Sequence, residues 1–509
     1  MDNPDLAKIA CVVAALGAVA LLAGRGRMAI VGGLTLVGLA GAGLIGSASD
    51  IGRVDALASA PGAAAAVLGL LALWAAAAAF VRWPATVPLA VLVCAPLRPP
   101  ITLGDGDGFP IGIADDGELG RLLPLYFVLA AAGLALAWRV LGASRDSTLP
   151  ARALPRGLAL PAAAFVGFLC VSLLWADPIR PGVDTLVFFA LPFTVLVAVV
   201  ARAPFPDWAP RALGIAALAL AAAFAAIGLF QEATRELFFF APNLQASNAN
   251  SGYFRVTSLF GDPSLYGRHL VLGIAVLLSL MALLRIELRL AIATLALLWA
   301  GLFFSYSQSS MIALVVVTLA VAAFTGTRRV RVTVVATFLA VLVVGVGYVA
   351  SIPLRGESLR TETADRSQRV EDSVRVIEDN PVVGVGVGAQ PDASRRLADQ
   401  DRATATFVSH TAPLTVAAEL GAVGLALLAW LLYGATRMLL AVRRLDAGMG
   451  LALLAVLLGL FTQALFYPGF LDDPLTWMVL ALGAGYVTWP RAAGDGRACA
   501  DAAATGATA

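Results

Sequence analysis

Histidine is rare in this chain, and one of its two copies lies where a long polar segment enters an apolar one. That residue, His410, stands near the start of the run SHTAPLTVAAELGAVGL, which extends from Ser409 to Leu425. An imidazole titrates near neutral pH, so a histidine at a membrane surface can act as a general base on a substrate delivered through the bilayer. The alternative is an interfacial histidine with a structural role, and His410 taken alone favours that alternative.

Arginines in two other polar segments have the chemistry to bind an anion. Arg255 lies in the segment 231–264, and Arg366 and Arg369 lie in the first turns of a predicted helix. Guanidinium groups and the free backbone N–H groups of a helix start both bind phosphate oxygens, so a diphosphate would suit this arrangement. Two alternatives stay open. Arg255 can snorkel to lipid phosphate, and the helix can present a solvated charged face balanced by acidic residues, namely Glu371, Asp372 and Glu378.

The helix that carries Arg366 and Arg369 is predicted over residues 365–379. Asp365 can cap its first turn, and the pair Asn380 and Pro381 ends the pattern. Its apolar residues fall at helical spacing and are Val370, Val374 and Ile377. An amphipathic helix of this kind is expected to lie on the outer membrane face.

The elements that must position these side chains are apolar. The chain has 509 residues, of which 60% are hydrophobic and 13% charged, and its mean hydropathy is +0.87. Runs of about 20 apolar residues recur along it, each long enough to cross a bilayer as a helix, and the alternating strands of a membrane barrel are absent. The sequence therefore predicts an all-α, polytopic transmembrane bundle with two outer loops that carry short amphipathic helices.

Apolar runs predict about 12 to 15 spans. They cover residues 6–24, 28–46, 61–81, 84–97, 121–138, 158–175, 183–201, 211–230, 265–284, 289–304, 309–325, 330–351, 411–436, 447–466 and 473–490. We accordingly divide the chain into N-terminal spans (1–230), an outer loop (231–264), further spans (265–351), a large outer loop (352–409), C-terminal spans (410–490) and a disordered cytoplasmic tail (491–509).

Charge fixes the expected orientation. Alternate connections are basic, with Arg25 and Arg27; Arg82; Arg139, Arg145, Arg152 and Arg156; Arg202 and Arg211; Arg285 and Arg289; Arg328, Arg329 and Arg331; Arg437, Arg443 and Arg444; and Arg491 and Arg497. The positive-inside rule places these connections in the cytoplasm. The loops with Arg255, Arg366 and His410 therefore face outward.

No metal or nucleotide site is expected. The four cysteines, Cys11, Cys94, Cys170 and Cys499, are scattered without ligand spacing. The acidic stretch 104–118 fails as a calcium loop because Phe109 stands at a ligand position. The glycines of GVGVG at 384–388 lack a following lysine, so a turn is the better interpretation.

Three segments in order resemble the O-antigen ligase and polymerase superfamily, integral membrane glycosyltransferases that use polyprenyl-diphosphate-linked glycans. They are FRVTSLFGDPSLYGRHLVLGIAVLL (254–278), DRSQRVEDSVRVIEDNPVVGVGVG (365–388) and SHTAPLTVAAELGAVGL (409–425). Together the likeness covers about residues 210–470. The departures are Gln308 where an arginine is usual, Ser264 where asparagine often follows the proline, and Thr411 to Pro413 where a second polar residue often follows the histidine.

The resemblance implies an inverting, metal-independent transferase without a cofactor. By position, Arg255 and Arg366 correspond to ligands of the donor diphosphate and His410 to the base that activates an acceptor hydroxyl. Secondary site candidates are Arg369, Asp262, Tyr266, Arg268, Gln308 and Glu419. Glu419 lies nine residues after His410 on the opposite side of the helix, so it is expected to pin the bundle or line a lipid cavity rather than orient the imidazole. His269, the second histidine, is expected to be interfacial.

The expected partners are a polyprenyl-diphosphate-linked glycan, a glycan, lipid or protein acceptor, and membrane lipids, but no nucleic acid. The expected location is the bacterial inner membrane, with the site on its periplasmic or extracellular face. Two other classes stay open: a lipid-linked glycan transporter or flippase, and a non-enzymatic export scaffold. Within the enzyme class, a surface-polysaccharide polymerase is slightly favoured over a ligase, and neither donor sugar nor acceptor is specified.

Overall fold

Apolar runs of the chain form helices, as their length and hydropathy predict. A computed structural model describes residues 3–48, 60–103, 111–113, 119–143, 152–240, 242–283, 287–336, 339, 366–397, 409 and 411–490. Twelve helices in this part of the chain are long and apolar enough to cross a membrane, and two shorter apolar helices, Pro84–Cys94 and Pro474–Thr488, accompany them. The predicted all-α membrane bundle is therefore confirmed. The remaining predicted span, 330–351, lies largely outside the described residues.

The helices are numbered in chain order. They are α1 Pro4–Ala23, α2 Arg27–Ser47, α3 Ala60–Arg82, α4 Val87–Cys94, α5 Leu123–Gly142, α6 Arg156–Val171, α7 Ile179–Thr185, α8 Leu191–Ala201, α9 Trp208–Thr234, α10 Pro242–Asn250, α11 Pro263–Leu283, α12 Leu288–Ser305, α13 Gln308–Thr325, α14 Arg366–Asp379, α15 Gln390–Leu397, α16 Ala412–Leu445, α17 Ala447–Ala464 and α18 Pro474–Thr488. Residues 328–336 are also helical. A π-helical turn, Leu186–Ala190, joins α7 to α8 in one span.

Strand structure in the described part is limited to one short ladder. Ile101–Leu103 pairs antiparallel with Ile111–Ile113, and Ile101 lies opposite Ile113. The ladder belongs to the connection between α4 and α5. Leu119 of the same connection lies beside Gly261, so this connection is on the side of the bundle where α9 ends and α11 begins.

Side-chain caps define where several helices begin. Ser307 accepts the Ser310 N–H at the start of α13, Asp446 accepts the Met449 N–H at the start of α17, and Asp473 accepts the Leu475 N–H at the start of α18. Each cap satisfies an N–H group that has no partner within its helix. Two of the caps lie in very short connections, since only Tyr306 and Ser307 separate α12 from α13 and only Asp446 separates α16 from α17. Helix α17 packs against α11, α13 and α18.

Arginines hold the basic end of the bundle together. Arg152 donates to the carbonyls of Ala201 and Ala203 at 2.8 and 2.6 Å, and Arg202 donates to the carbonyl of Leu21 at 3.0 Å. Burial, with a contribution from Arg139, lowers the pKa of Arg152 to about 10, so this guanidinium remains charged at neutral pH. The basic connections predicted to face the cytoplasm thus include residues that join neighbouring helices.

At the end of the bundle opposite the basic connections, a buried ionic pair and its neighbours connect several helices. Arg268 of α11 donates to the Asp473 carboxylate at 2.6 Å and to the Gln463 side-chain oxygen of α17 at 2.7 Å. Both charged side chains are nearly inaccessible, with exposed fractions of 1% and 7%. Gln463 in turn donates to Ser310 of α13 at 2.9 Å and to the Ser264 carbonyl at 2.8 Å. This Arg268 cluster joins α11, α13, α17 and the start of α18.

The cluster generates a stability prediction. Arg268→Ala leaves the buried Asp473 carboxylate unpaired and should lower the free energy of unfolding by about 3–5 kcal/mol. Arg235→Ala is the matched control, because Arg235 pairs with Glu232 at 2.8 Å while 58% of its side chain is exposed, and an exposed pair contributes about 0–1 kcal/mol. Denaturant unfolding in detergent micelles measures both. An equal loss in the two variants would contradict a special role for the cluster.

Topology is tested by thiol labelling in intact spheroplasts. Ser247 is exposed in α10, and Ala447 is exposed at the first residue of α17. In a Cys499→Ser background, Ser247→Cys should react with an impermeant maleimide, whereas Ala447→Cys should react only after the membrane is permeabilised. The reverse pattern would overturn the orientation.

Candidate functional site

The helix predicted to follow His410 is broken. α16 consists of two helical halves that meet at Gly421, whose φ is +63°. At the break, the Ala422 and Val423 N–H groups donate to the carbonyls of Pro381 and Val382 at 2.9 and 3.2 Å. On the other side, the carbonyls of Ala418 and Glu419 accept from Val385 and Gly386 at 3.0 and 2.8 Å. Residues 381–388, which we call the glycine turn, therefore replace the hydrogen bonds that the break removes.

Glycine is required where the two segments meet. A Cβ atom at Gly384, whose φ is +68°, would lie 2.3 Å from the carbonyl carbon of Glu419. A Cβ atom at Gly421 would lie equally close to Val382. The turn predicted for the GVGVG residues is confirmed, and its glycines allow close backbone contact rather than nucleotide binding.

Glu419 fixes the same turn through its side chain. Its carboxylate accepts the backbone N–H groups of Gly388 and Gln390. The residue thus holds the glycine turn and the start of α15 against α16. This role agrees with the expectation that Glu419 pins the bundle, although its partners are backbone groups of the large outer loop that the sequence did not specify.

Hydrogen bonds connect α14 to the residue preceding His410. Gln390 donates to Ser373 of α14 at 3.3 Å and to Ser394 at 3.0 Å, and its side-chain oxygen accepts the Ser409 N–H at 3.3 Å. Gln390, Ser373 and Ser409 are all buried. His410 lies outside the described residues, but the residue before it is anchored to the helix that begins at Arg366.

The residue after His410 is anchored to a different part of the bundle. Thr411 donates through its hydroxyl to the Leu465 carbonyl at 3.2 Å, and its N–H donates to the Ser409 hydroxyl at 3.1 Å. Leu465 directly follows α17, two residues after Gln463 of the Arg268 cluster. The chain on both sides of His410 is therefore held at the end of the bundle where α11, α13 and α17 meet.

Arg255 lies at the junction of α12 and α13. Its backbone N–H donates to the Asn248 side chain at 3.0 Å, and its carbonyl accepts from the same amide at 3.1 Å. The half-buried guanidinium contacts the last carbonyl of α12, Ser305, at 3.4 Å through Nε. Gln308 is exposed at the first residue of α13, so the structure brings Arg255 and Gln308 to neighbouring turns.

Arg366 and Arg369 lie in the first turns of α14, as predicted. The Arg366 side chain lies outside the described residues, and Arg369 is half-buried, with its carbonyl accepting the Ser373 hydroxyl at 2.8 Å. The predicted apolar face packs on the bundle only in part: Val370 and Val374 are exposed, whereas Ile377 packs with buried Val376 against α15 and α16. Ser373 is also buried.

Three secondary candidates make contacts that give each of them a structural role. The Asp262 carboxylate caps α11 by accepting the Ser264 and Leu265 N–H groups at 2.6 and 3.1 Å. Tyr266 is fully buried, with its hydroxyl against Gly228 and Gly301. The charge of Arg268 is neutralised by Asp473. Asp262 and Arg268 thus have partners within the fold, whereas the buried Tyr266 hydroxyl has no hydrogen-bond partner among the described residues. A part of all three residues in the reaction stays a prediction.

His269 stands at one end of a large apolar cavity. Its Nδ1 contacts the Leu265 carbonyl at 2.9 Å, and its ring stacks on Phe260 with the centroids 4.2 Å apart. The cavity has a volume of about 1060 Å³ and runs between α9, α11, α17 and α18. Its opposite end reaches Arg211 and Asp446, near the basic connections. The ring also contacts Phe224 edge-on, and the interfacial role expected for His269 stays a prediction.

Sequence patterns did not identify several polar groups at this end of the bundle. Arg98 and Asp472 lie within electrostatic range of each other, and Tyr467 hydrogen-bonds to Asp262. Burial and the neighbouring Asp262 carboxylate raise the pKa of Tyr467, so the phenol stays protonated at neutral pH. Their clustering depends on contacts between distant segments. Among the described residues, no group of three or more His, Cys, Asp or Glu side chains has the arrangement of a metal site.

Part of the chain matches a known family. Residues 293–429 match the family model described as O-antigen ligase. The match begins in α12 and ends in α16, so it contains Gln308, Arg366, His410 and Glu419, while Arg255 precedes it. No curated protein sequence matches the chain. Within this multi-pass membrane protein, residues 293–429 are therefore similar to the O-antigen ligase family.

Proposed function

We propose that the protein transfers a glycan from a polyprenyl-diphosphate carrier to an acceptor hydroxyl on the outer face of the bacterial inner membrane. The observation that carries the proposal is the anchoring of candidate residues from separate segments at one end of the bundle. Ser409 and Thr411, which flank His410, are hydrogen-bonded to the α14–α15 segment and to the end of α17. Arg255 contacts the α12–α13 junction, which Ser310 links to Gln463 of α17.

The reaction is a single displacement at the anomeric carbon. The acceptor oxygen forms a bond to that carbon while the bond between the carbon and the diphosphate oxygen breaks. The hydroxyl proton passes to the His410 imidazole, and the bonding electron pair leaves with the polyprenyl diphosphate. The imidazolium then releases its proton to water. One displacement inverts the anomeric configuration.

Arginines supply the positive charge that the leaving group needs. Negative charge on the diphosphate grows as the glycosidic bond breaks, so guanidinium groups fixed beside it stabilise the transition state more than the ground state. Arg255 and Arg366 are assigned this role, with Arg369 and exposed Gln308 as neighbouring contacts. A diphosphate bound in this way leaves without a dedicated proton donor, and the proposed reaction uses neither a cofactor nor a metal ion.

The apolar cavity suits the lipid part of the donor. It is lined mainly by aliphatic side chains of four helices and lies within the bundle, with His269 at the end nearest the Arg268 cluster. A polyprenyl chain buried there would avoid contact with water, which favours binding in proportion to the apolar area covered. Its diphosphate would then emerge at the end of the bundle where Arg255 is located.

The first functional prediction concerns the base. His410→Ala should lower kcat for glycan transfer by about 10²- to 10⁴-fold and leave donor binding largely intact, because the imidazole is assigned to the acceptor hydroxyl. Arg437→Ala is the control, since Arg437 is exposed near the other end of the same helix, α16, and its Nη1 contacts the Tyr433 hydroxyl. Radiolabelled transfer by purified protein measures both. A His410→Ala rate within about twofold of wild type would remove the residue from the mechanism.

A second prediction concerns the diphosphate. Arg255→Ala and Arg366→Ala should each reduce donor use roughly 10- to 150-fold, since a charge-assisted hydrogen bond is worth about 1.5–3 kcal/mol. Lysine should restore only part of this loss because an ammonium cannot make a bidentate contact. The double variant should be non-additive because the two side chains share one ligand.

Inhibition by added polyprenyl diphosphate is the direct measurement for this pair. The inhibition constant should rise in both alanine variants. Arg375→Ala is the control on the same helix, where Arg375 is exposed and pairs with Glu371 at 2.6 Å. An unchanged inhibition constant in both Arg255→Ala and Arg366→Ala would show that these arginines do not bind the diphosphate and would favour contact with lipid phosphate instead.

Ligase and polymerase activities are distinguished by what a deletion strain accumulates. Single lipid-linked repeat units would indicate a polymerase, and long lipid-linked chains would indicate a ligase. A purified protein that does not turn over the lipid-linked glycan but transports it would instead favour a flippase.

A further inference from the structure

A second pocket lies in the first outer loop, separate from the apolar cavity. It has a volume of about 660 Å³ and is formed by the end of α9, helix α10 and the residues that follow. The residues that characterise it are Arg235, Glu236, Gln245, Asn248, Tyr253 and Phe254. Its size is typical of small-ligand sites, which measure roughly 300–1000 Å³.

The lining combines aromatic faces with neutral and charged polar groups. Tyr253 is 46% exposed and packs against Tyr306 with the ring centroids 4.8 Å apart and the ring planes tilted by 37°, so its position is supported from the end of α12. Gln245 and Glu236 are exposed beside it. Sugars present C–H groups on a ring face and hydroxyl groups around its rim, and this combination of aromatic, amide and carboxylate groups complements both.

Charge argues against a phosphate ligand in this pocket. Arg235, the arginine in its lining, is paired with Glu232 at 2.8 Å and lies over the Phe254 ring at 5.3 Å. Glu236 adds a carboxylate to the lining. An anion would therefore meet a neutralised guanidinium and a negative charge, whereas glycan hydroxyls can donate to the carboxylate and accept from the amides.

The pocket adjoins Arg255. Asn248 belongs to its wall, and the Asn248 amide both accepts from the Arg255 N–H and donates to the Arg255 carbonyl. Phe254, also in the wall, directly precedes Arg255. A ligand in the pocket would thus lie next to the residue assigned to the donor diphosphate.

We propose that this pocket binds the glycan of the donor, at sugars close to the diphosphate. That the bound glycan belongs to the donor rests on the proposed function. That the pocket binds a glycan is inferred from its lining residues alone. Tyr253 is assigned as the stacking platform and Gln245 as a hydrogen-bonding group. Both are specificity residues, and neither takes part in bond breaking.

Steady-state transfer kinetics test the site with lipid-linked glycan isolated from a deletion strain. Tyr253→Ala should raise KM for this donor roughly tenfold through the lost ring contact and leave kcat within about twofold. Tyr253→Phe should retain near-wild-type KM because the ring remains. Inhibition by glycan-free polyprenyl diphosphate should be unchanged in Tyr253→Ala, in contrast to Arg255→Ala. Tyr433→Ala, at an exposed tyrosine of α16 in contact with Arg437, is the matched control.

A binding experiment separates this inference from the proposed function. The probe is lipid-free glycan released by mild acid from the same donor, observed by saturation-transfer NMR with the purified protein. Wild type and Arg255→Ala should bind it, and Tyr253→Ala with Gln245→Ala should lose the signal. Equal binding by that double variant, no binding by wild type, or a raised KM for the acceptor instead of the donor would each overturn the donor-glycan site. Binding without any transfer by wild type would refute the proposed function alone.

Discussion

Backbone N–H and C=O groups inside a membrane must form hydrogen bonds within the protein. The break in α16 leaves several such groups without partners in their own helix, and the outer end of the bundle is arranged to supply them. The helix interrupts at Gly421, and the glycine turn of the preceding loop supplies hydrogen bonds to both halves. A loop that satisfies a helix in this way cannot move independently of it. The same loop continues into α15, whose first residue, Gln390, holds both Ser373 of α14 and the N–H of Ser409. The positions of α14 and of the chain beside His410 therefore follow from one backbone requirement.

Arginines in this protein divide into those that hold helices together and those available to a ligand. Arg152, Arg202 and Arg268 are enclosed by carbonyl or carboxylate partners from neighbouring helices. Arg255 is half-buried, and its Nε contacts a helix end at 3.4 Å. A guanidinium has five N–H donors, so this contact leaves donors for an anion. Burial and pairing, which are tertiary properties, separate the two groups where residue type does not.

Two cavities of opposite character flank the candidate site. The larger one is apolar and enclosed by helices, and the smaller one is lined by aromatic, amide and charged side chains of an outer loop. A lipid-linked glycan has the same division, with a hydrocarbon chain on one side of a diphosphate and hydroxyl-rich sugars on the other. Arg255 lies beside the smaller cavity, and His269 lines the larger one. This separation allows one amphiphile to be bound by distinct surfaces, each matched to one part of it.

Sequence alone determined the membrane bundle, the helix that begins at Arg366 and the turn at GVGVG, because hydropathy, capping and glycine conformation are local properties. It also selected Arg255, Arg366 and His410 through a family resemblance. The tertiary structure decided the contacts of Glu419, Asp262 and Arg268, which bind backbone groups or a buried carboxylate. It also decided which side of α14 meets the bundle, since Ser373 is buried there while the valines remain exposed. These contacts join residues that are far apart in the chain, so local sequence does not predict them. A charged or polar side chain needs a specific protein partner only where packing has excluded water from it.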